Sequence, residues 1–188
     1  MVEKIDIGLP DKLGLAHHGS HIEITRKWFR WQIVVATSFA IFWDGLLFTW
    51  YSSIGENTDP MAIYFPLLHV AIGLGITYYA LAGWVNQTRI IVGLGKLAVR
   101  HEPLPWLGNI ELDTMNLKQL HTKEHITRGK NGPYVTYEVH ATTHNSKNIK
   151  LVSGLDTSEQ ALYIEQEIEK YLGIKDIPVK GEIGGSIY

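Results

Sequence analysis

Apolar and polar positions are segregated along this chain into two regimes. Trp31 to Tyr51 and Ala62 to Trp84 are nearly unbroken apolar runs, separated only by the polar loop Ser52 to Pro60. Each is about as long as the roughly 20 residues a helix needs to cross the hydrocarbon core of a bilayer. The pattern therefore predicts a transmembrane hairpin at residues 31–84, with helices at 31–51 and 62–84. Residues 1–30 read as a polar leader, in which the alternation His-Ile-Glu-Ile-Thr predicts one strand near 21–26.

Beyond Thr88 the period shortens to two. Arg89 to Val92 and Leu97 to His101 flank the turn Gly93-Leu94-Gly95-Lys96 and predict a β-hairpin. Ile110 to Leu112, Leu117 to Ile126, Tyr134 to Thr143 and Asn148 to Val152 are further strands, with a turn around residues 128–133. In the second long strand Val135, Tyr137, Val139 and Ala141 make one apolar face. Thr157 to Leu172 then predicts an amphipathic helix with Ala161, Ile164, Ile168, Tyr171 and Leu172 on its apolar stripe. Asp156 or Thr157 caps its start, with Glu159 and Gln160 in capping-box reach, and Gly173 ends it. The domain boundary is therefore set at 88–173, and residues 174–188 read as a Gly-rich tail.

Composition conceals this split. The mean hydropathy of −0.02 would suit an ordinary soluble domain. The net charge of −2 supplies no basic surface for nucleic acid. The absence of cysteine excludes disulfides, thiolate metal sites and cysteine nucleophiles. The first apolar run is too long for a signal-peptide core and has a second span behind it, so it is expected to be retained. Arg26, Lys27 and Arg30 precede the hairpin, Arg89, Lys96 and Arg100 follow it, and the loop has no Lys or Arg. The positive-inside rule then places both termini in the cytoplasm. Trp28, Trp31, Trp50, Tyr51, Tyr64 and Trp84 near the span ends match interfacial aromatic belts.

An ionisable pair interrupts the spans. Asp44 stands seven positions before Tyr51, and His69 seven after Ala62. At 1.5 Å per residue both lie about 10 Å below the outer helix ends, at one depth of an antiparallel hairpin. Thr37, Ala40 and Asp44 share a stripe of the first helix, and His69, Gly73, Thr77 and Ala80 one of the second. Small residues on facing stripes allow close backbone approach. The expected arrangement joins Asp44 to His69 and brings Thr37 near Thr77. Its functional reading is a proton relay or a contact for a larger complex; the plain one is a clasp that sets hairpin register. Pro66 is expected in the first turns of the second helix, where few hydrogen bonds are lost.

Several strands followed by one C-terminal helix resemble a pleckstrin-homology-like (PH-like) fold, a bent antiparallel barrel with one end plugged by the helix. The order of hairpin, then NQTRIIV, LAVRHEPLPWLGN, VSGL and SEQALYIEQEIEKYLGI, resembles bacterial membrane proteins with a PH-like domain just after two transmembrane helices. The resemblance spans roughly residues 20 to 178 and implies a membrane-anchored α+β protein of the bacterial inner membrane. It implies no activity.

Candidate chemistry is sparse. PH domains that bind inositol phosphates set basic residues on and between the first two strands. The matching loop here offers only Lys96, so phosphoinositide binding is not expected. His121, His125, His140 and His144 lie on or just beyond the long strands, with His121 roughly opposite His140. Two or three imidazoles on one face are potential Zn²⁺ or Ni²⁺ ligands. That face also carries Lys123 and Glu138, so neutral surface imidazoles account for the pattern and no metal is expected. His17, His18 and His21 form a looser group in the leader. GLGKL lacks the following helix of a nucleotide site, and Ser153 lacks the flanks of a nucleophile elbow. Glu165 and Glu169 share a helix face that reads as solvated, not as an acid–base dyad.

The expectation is therefore a non-enzymatic adaptor or accessory subunit without a cofactor. Its expected partners are the bilayer and other membrane proteins or a second copy of the chain. The alternatives are an ion- or proton-handling component using Asp44 and His69, and a ligand or metal sensor. Only Val85 to Thr88 link hairpin and domain, too few for a flexible tether. Trp106, in the rigid loop Glu102 to Asn109, is then expected either at the membrane interface or under the domain's own core.

Overall fold

The computed structural model describes residues 7–55, 59–129, 132–175 and 183. Of the expected tail, all but 174, 175 and 183 lies outside the described residues. The chain divides into two compact units, one of residues 28–87 with 102–105, the other of the remaining segments.

The first unit is built on two long helices. Helix α1 spans Trp31–Ser52; a short helix α2, Pro60–Tyr64, precedes α3, Leu67–Val85. Asp59 caps α2 by accepting from the Met61 amide at 2.8 Å. Both helical segments are long and apolar enough to cross a membrane, and only 11% of either apolar window is buried. A helix in the core of a soluble protein would be mostly covered. Here Ile41, Phe42, Phe48, Leu68, Leu74 and Leu81 are all more than half exposed, an apolar surface that water does not tolerate.

Pro66 breaks the second segment, expected as one helix over 62–84 with the proline in its first turns. A proline has no N–H, so the carbonyl of Ala62 four residues earlier loses its helical donor. Trp50 Nε1 donates to that carbonyl at 3.1 Å, and Tyr51 Oη donates to the neighbouring Ile63 carbonyl at 3.1 Å. Side chains of α1 thus satisfy backbone groups freed in an apolar surrounding. Trp50→Phe keeps the ring and removes the donor. It is expected to lower thermal stability in detergent by about 1 kcal/mol, while Trp31→Phe leaves it unchanged.

The second unit contains two separate sheets. Strands β1 (Leu13–His17), β2 (His21–Lys27), β3 (Gln87–Gly93), β4 (Lys96–Glu102) and β5 (Ile110–Asp113) form one in sequence order. Strands β6 (Leu117–Gly129), β7 (Gly132–Thr143) and β8 (Asn148–Leu155) form the other, and helix α4 (Ser158–Leu172) follows. The strands do not close into a barrel. The polar leader supplies two strands where one is expected, because Leu13–His17 folds back on β2 in the register Leu15↔Ile24. Ile22 and Ile24 of β2 are fully buried, so the sheet extends well outside the expected 88–173 boundary. Arg26, read as a membrane-flanking charge, is buried and donates to the carbonyls of Ser153 (3.3 Å) and Gly154 (2.5 Å).

Local signals explain the connections. β3 and β4 join through Leu94 and Gly95, both at positive φ, as a two-residue hairpin turn requires. Thr157 caps α4 by accepting from the Gln160 amide at 3.3 Å, and Gln160 Oε1 reaches back to the Asp156 amide at 3.1 Å. One core gathers Ile90, Val92, Leu97 and Val99 of the first sheet with Leu120, Val139 and Leu155 of the second and Ala161, Ile164 and Ile168 of α4.

Candidate functional site

Asp44 and Thr77 form the polar centre of the helix pair. Thr77 Oγ1 donates to Asp44 Oδ2 at 2.7 Å. A Cβ added at Gly73 would lie 2.6 Å from Asp44 Oδ1, so the glycine makes room for the carboxylate. Ala40, Gly73 and Ala80 are buried. The expected Asp44–His69 contact does not form. His69 instead stacks on Trp43 with ring centroids 5.8 Å apart and lies 5.5 Å from Phe65, while Trp43 Nε1 donates to its carbonyl at 3.1 Å. His69 Nδ1 is buried without a hydrogen-bond partner.

Thr37 likewise misses Thr77. Its hydroxyl donates to the Ile33 carbonyl at 2.7 Å and accepts from Trp84 Nε1 at 2.9 Å. Both differences have one origin. Counting from the loop assumes an unbroken second helix, whereas the segment breaks between Tyr64 and Leu67, and Asp44 lies opposite residues one to two turns further along the same stripe. The stripe is the expected one, and its register is not.

At the end of α3, Asn86 is buried and holds the 102–105 segment by both ends of its amide. Its Nδ2 donates to the Leu104 carbonyl at 2.9 Å, and its Oδ1 accepts from the Leu104 amide at 2.8 Å. Tyr78 Oη donates to the Pro105 carbonyl. Nothing in the hydropathy pattern singles out Asn86, whose role depends on a partner 18 residues away. Trp106 is half-buried and not part of the buried core, and Leu107 beside it is 91% exposed.

In the domain the histidines separate. His121 faces His140 as expected, with rings 5.5 Å apart, whereas His125 and His144 are exposed. His121, however, is not a surface group but only 1% exposed. Asn148 Nδ2 donates to His121 Nε2 at 3.3 Å, and His140 Nε2 donates to Glu138 Oε2 at 2.9 Å. Burial, then the charges of Lys123 and His140, hold the His121 imidazole down to about 4. For Glu138, burial pushes upward but is outweighed by hydrogen bonds from His140 and Lys150, leaving it below the usual carboxylate range.

Glu165 and Glu169 also depart from the solvated reading, being 2% and 1% exposed. Thr122 Oγ1 donates to Glu165 Oε2 at 2.6 Å, and the Leu120 amide donates to Glu169 Oε1 at 3.3 Å. Their position was detectable in the periodicity. Ala161, Ile164, Glu165, Ile168, Glu169 and Leu172 follow the i, i+3, i+4, i+7 spacing of one buried face. These carboxylates brace the helix against the edge strand β6. No protein-family model and no curated protein sequence matches this chain.

Proposed function

We propose that this protein is a non-enzymatic, membrane-anchored adaptor or accessory subunit, which presents a PH-like domain at the cytoplasmic face of a bacterial inner membrane. The observation that carries it is the Thr77–Asp44 hydrogen bond seated against Gly73. It accounts for the one carboxylate of the helix pair as a clasp between helices and leaves the outer helix faces free for other membrane proteins. The PH-like assignment is supported by two packed sheets followed by a C-terminal helix whose apolar face enters their common core.

A headgroup-binding role is disfavoured by the cations of the first two strands of this motif. Arg89 is forked onto Glu23, and Lys96 and Arg100 both reach Glu111 at 2.7 Å. Each cation already faces a carboxylate and offers little to a phosphate. Native mass spectrometry of the full chain extracted in mild detergent tests the adaptor reading. A stoichiometric partner protein or a second copy is expected, and a lone monomer overturns it.

Proton handling is the second reading, favoured by His69 Nδ1, a buried ring nitrogen without a partner. Asp44→Asn and His69→Ala separate the two. If both alter proton flux in vesicles while assembly is retained, transport leads. If Asp44→Asn lowers stability and neither changes flux, the clasp stands.

A further inference from the structure

We propose that the β1–β2 turn is a binding site for a divalent transition-metal ion such as Zn²⁺, held by His18, His21 and Glu23. Ligand atoms of these three residues all lie within 4.8 Å of one another. The histidine rings stack at 4.8 Å with 24° between their planes. In a tetrahedral zinc sphere with bonds near 2.0–2.1 Å, ligand atoms stand about 3.3 Å apart. Metal binding at this spacing requires the exposed His18 ring and the half-buried His21 ring to rotate toward Glu23. The set is two imidazoles and a carboxylate, which suits Zn²⁺, Ni²⁺ or Co²⁺ over the harder Mg²⁺ and Ca²⁺.

The backbone beneath these side chains is held from three directions. The His18 amide donates to the His21 carbonyl at 2.9 Å, and the Ser20 amide to the His18 carbonyl at 2.7 Å. Tyr171 of α4 donates to the Ser20 carbonyl at 2.9 Å. Gly93 of β3 lies so close that an added Cβ would stand 2.5 Å from the Ser20 carbonyl oxygen and 2.7 Å from His21 Cα. The turn is thereby preorganised, and a metal ion need not order it.

Glu23 is prepared as a ligand. Arg89 grips both its oxygens, Nε to Oε1 and Nη2 to Oε2, each at 2.6 Å. A carboxylate has about four lone-pair sites, and the fork uses two, so one remains on each oxygen. Arg89 thus orients the Glu23 carboxylate as an outer-shell partner does, while its own positive charge keeps the site from binding very tightly. The pair formed by buried His121 and half-buried His140 lacks this openness, since Asn148 and Glu138 already occupy their ring nitrogens.

The test is calorimetric titration of the tag-free full chain in detergent with ZnCl₂ and, separately, NiCl₂. One saturable site is expected. His18→Ala, a change at an exposed turn position, is expected to weaken it about tenfold or more with the melting temperature unchanged. His18→Ala with His21→Ala is expected to abolish it, and His121→Gln to leave it intact. The proposal is overturned if the wild type takes up neither ion saturably, if the double variant still binds, or if His121→Gln is the change that removes binding.

Discussion

Gly83→Val is expected to force the α1–α3 pair apart and to lower its stability in detergent by about 3 kcal/mol. An added Cβ at Gly83 would sit 2.7 Å from Cγ1 and 3.0 Å from Cγ2 of Ile33, itself only 4% exposed. Well-packed interiors transmit such an intrusion instead of absorbing it. Ile33→Ala removes the obstructing atoms, so the double variant Ile33→Ala, Gly83→Val should recover most of the loss, a coupling that thermal melts of the four proteins measure directly. Gly75→Val is the control, because nothing lies within 4 Å of a Cβ there. Equal losses from Gly83→Val and Gly75→Val would show that helix propensity, not packing, is being read.

Stability of the domain is expected to fall as pH falls from about 6.5 to about 4, and His121 is the cause. Its folded imidazole is held down to about 4 from an ordinary value of 6.5. Within that window the unfolded chain takes up a proton that the folded chain refuses, so acid favours unfolding. At 1.36 kcal/mol per pKa unit, the loss by pH 4 is about 3 kcal/mol. Above pH 6.5 both states are neutral at this ring, and no dependence remains. His121→Gln keeps a polar side chain beside Thr142 and Asn148 but cannot titrate. Urea unfolding of the full chain in detergent between pH 4 and 7 should show the slope flattened in this variant. An unchanged slope would assign the acid sensitivity to another group. The full chain is required, because strands β1 and β2 supply part of the first sheet.

Particular residues divide what could be read from the chain from what could not. The two apolar spans follow from length and hydropathy, and the helices occupy nearly the expected positions. The β3–β4 turn and the limits of α4 follow from short-range rules, since a positive-φ turn, an N-cap threonine and a terminal glycine act within a few residues. Strand β1 escaped because Leu13–His17 has little alternation, and its pairing with β2 is what makes it a strand. The spacing of Ala161 to Leu172 carries the signal for burial of Glu165 and Glu169, against which their charge argues.

Two apolar helices ahead of a β-rich, helix-terminated domain are legible in the chain, because burial demand and backbone propensity are properties of each segment. Which residues meet is a property of the folded molecule. Asp44 meets Thr77 and not His69 because the register of α1 on α3 is fixed by contacts distant in sequence, among them Trp43 against His69 and Gly73. His121 is buried against Thr142, Asn148 and His140 whereas His125 is exposed, although both lie on one strand. Partner choice depends on which surfaces the whole fold brings together, and no local pattern encodes that.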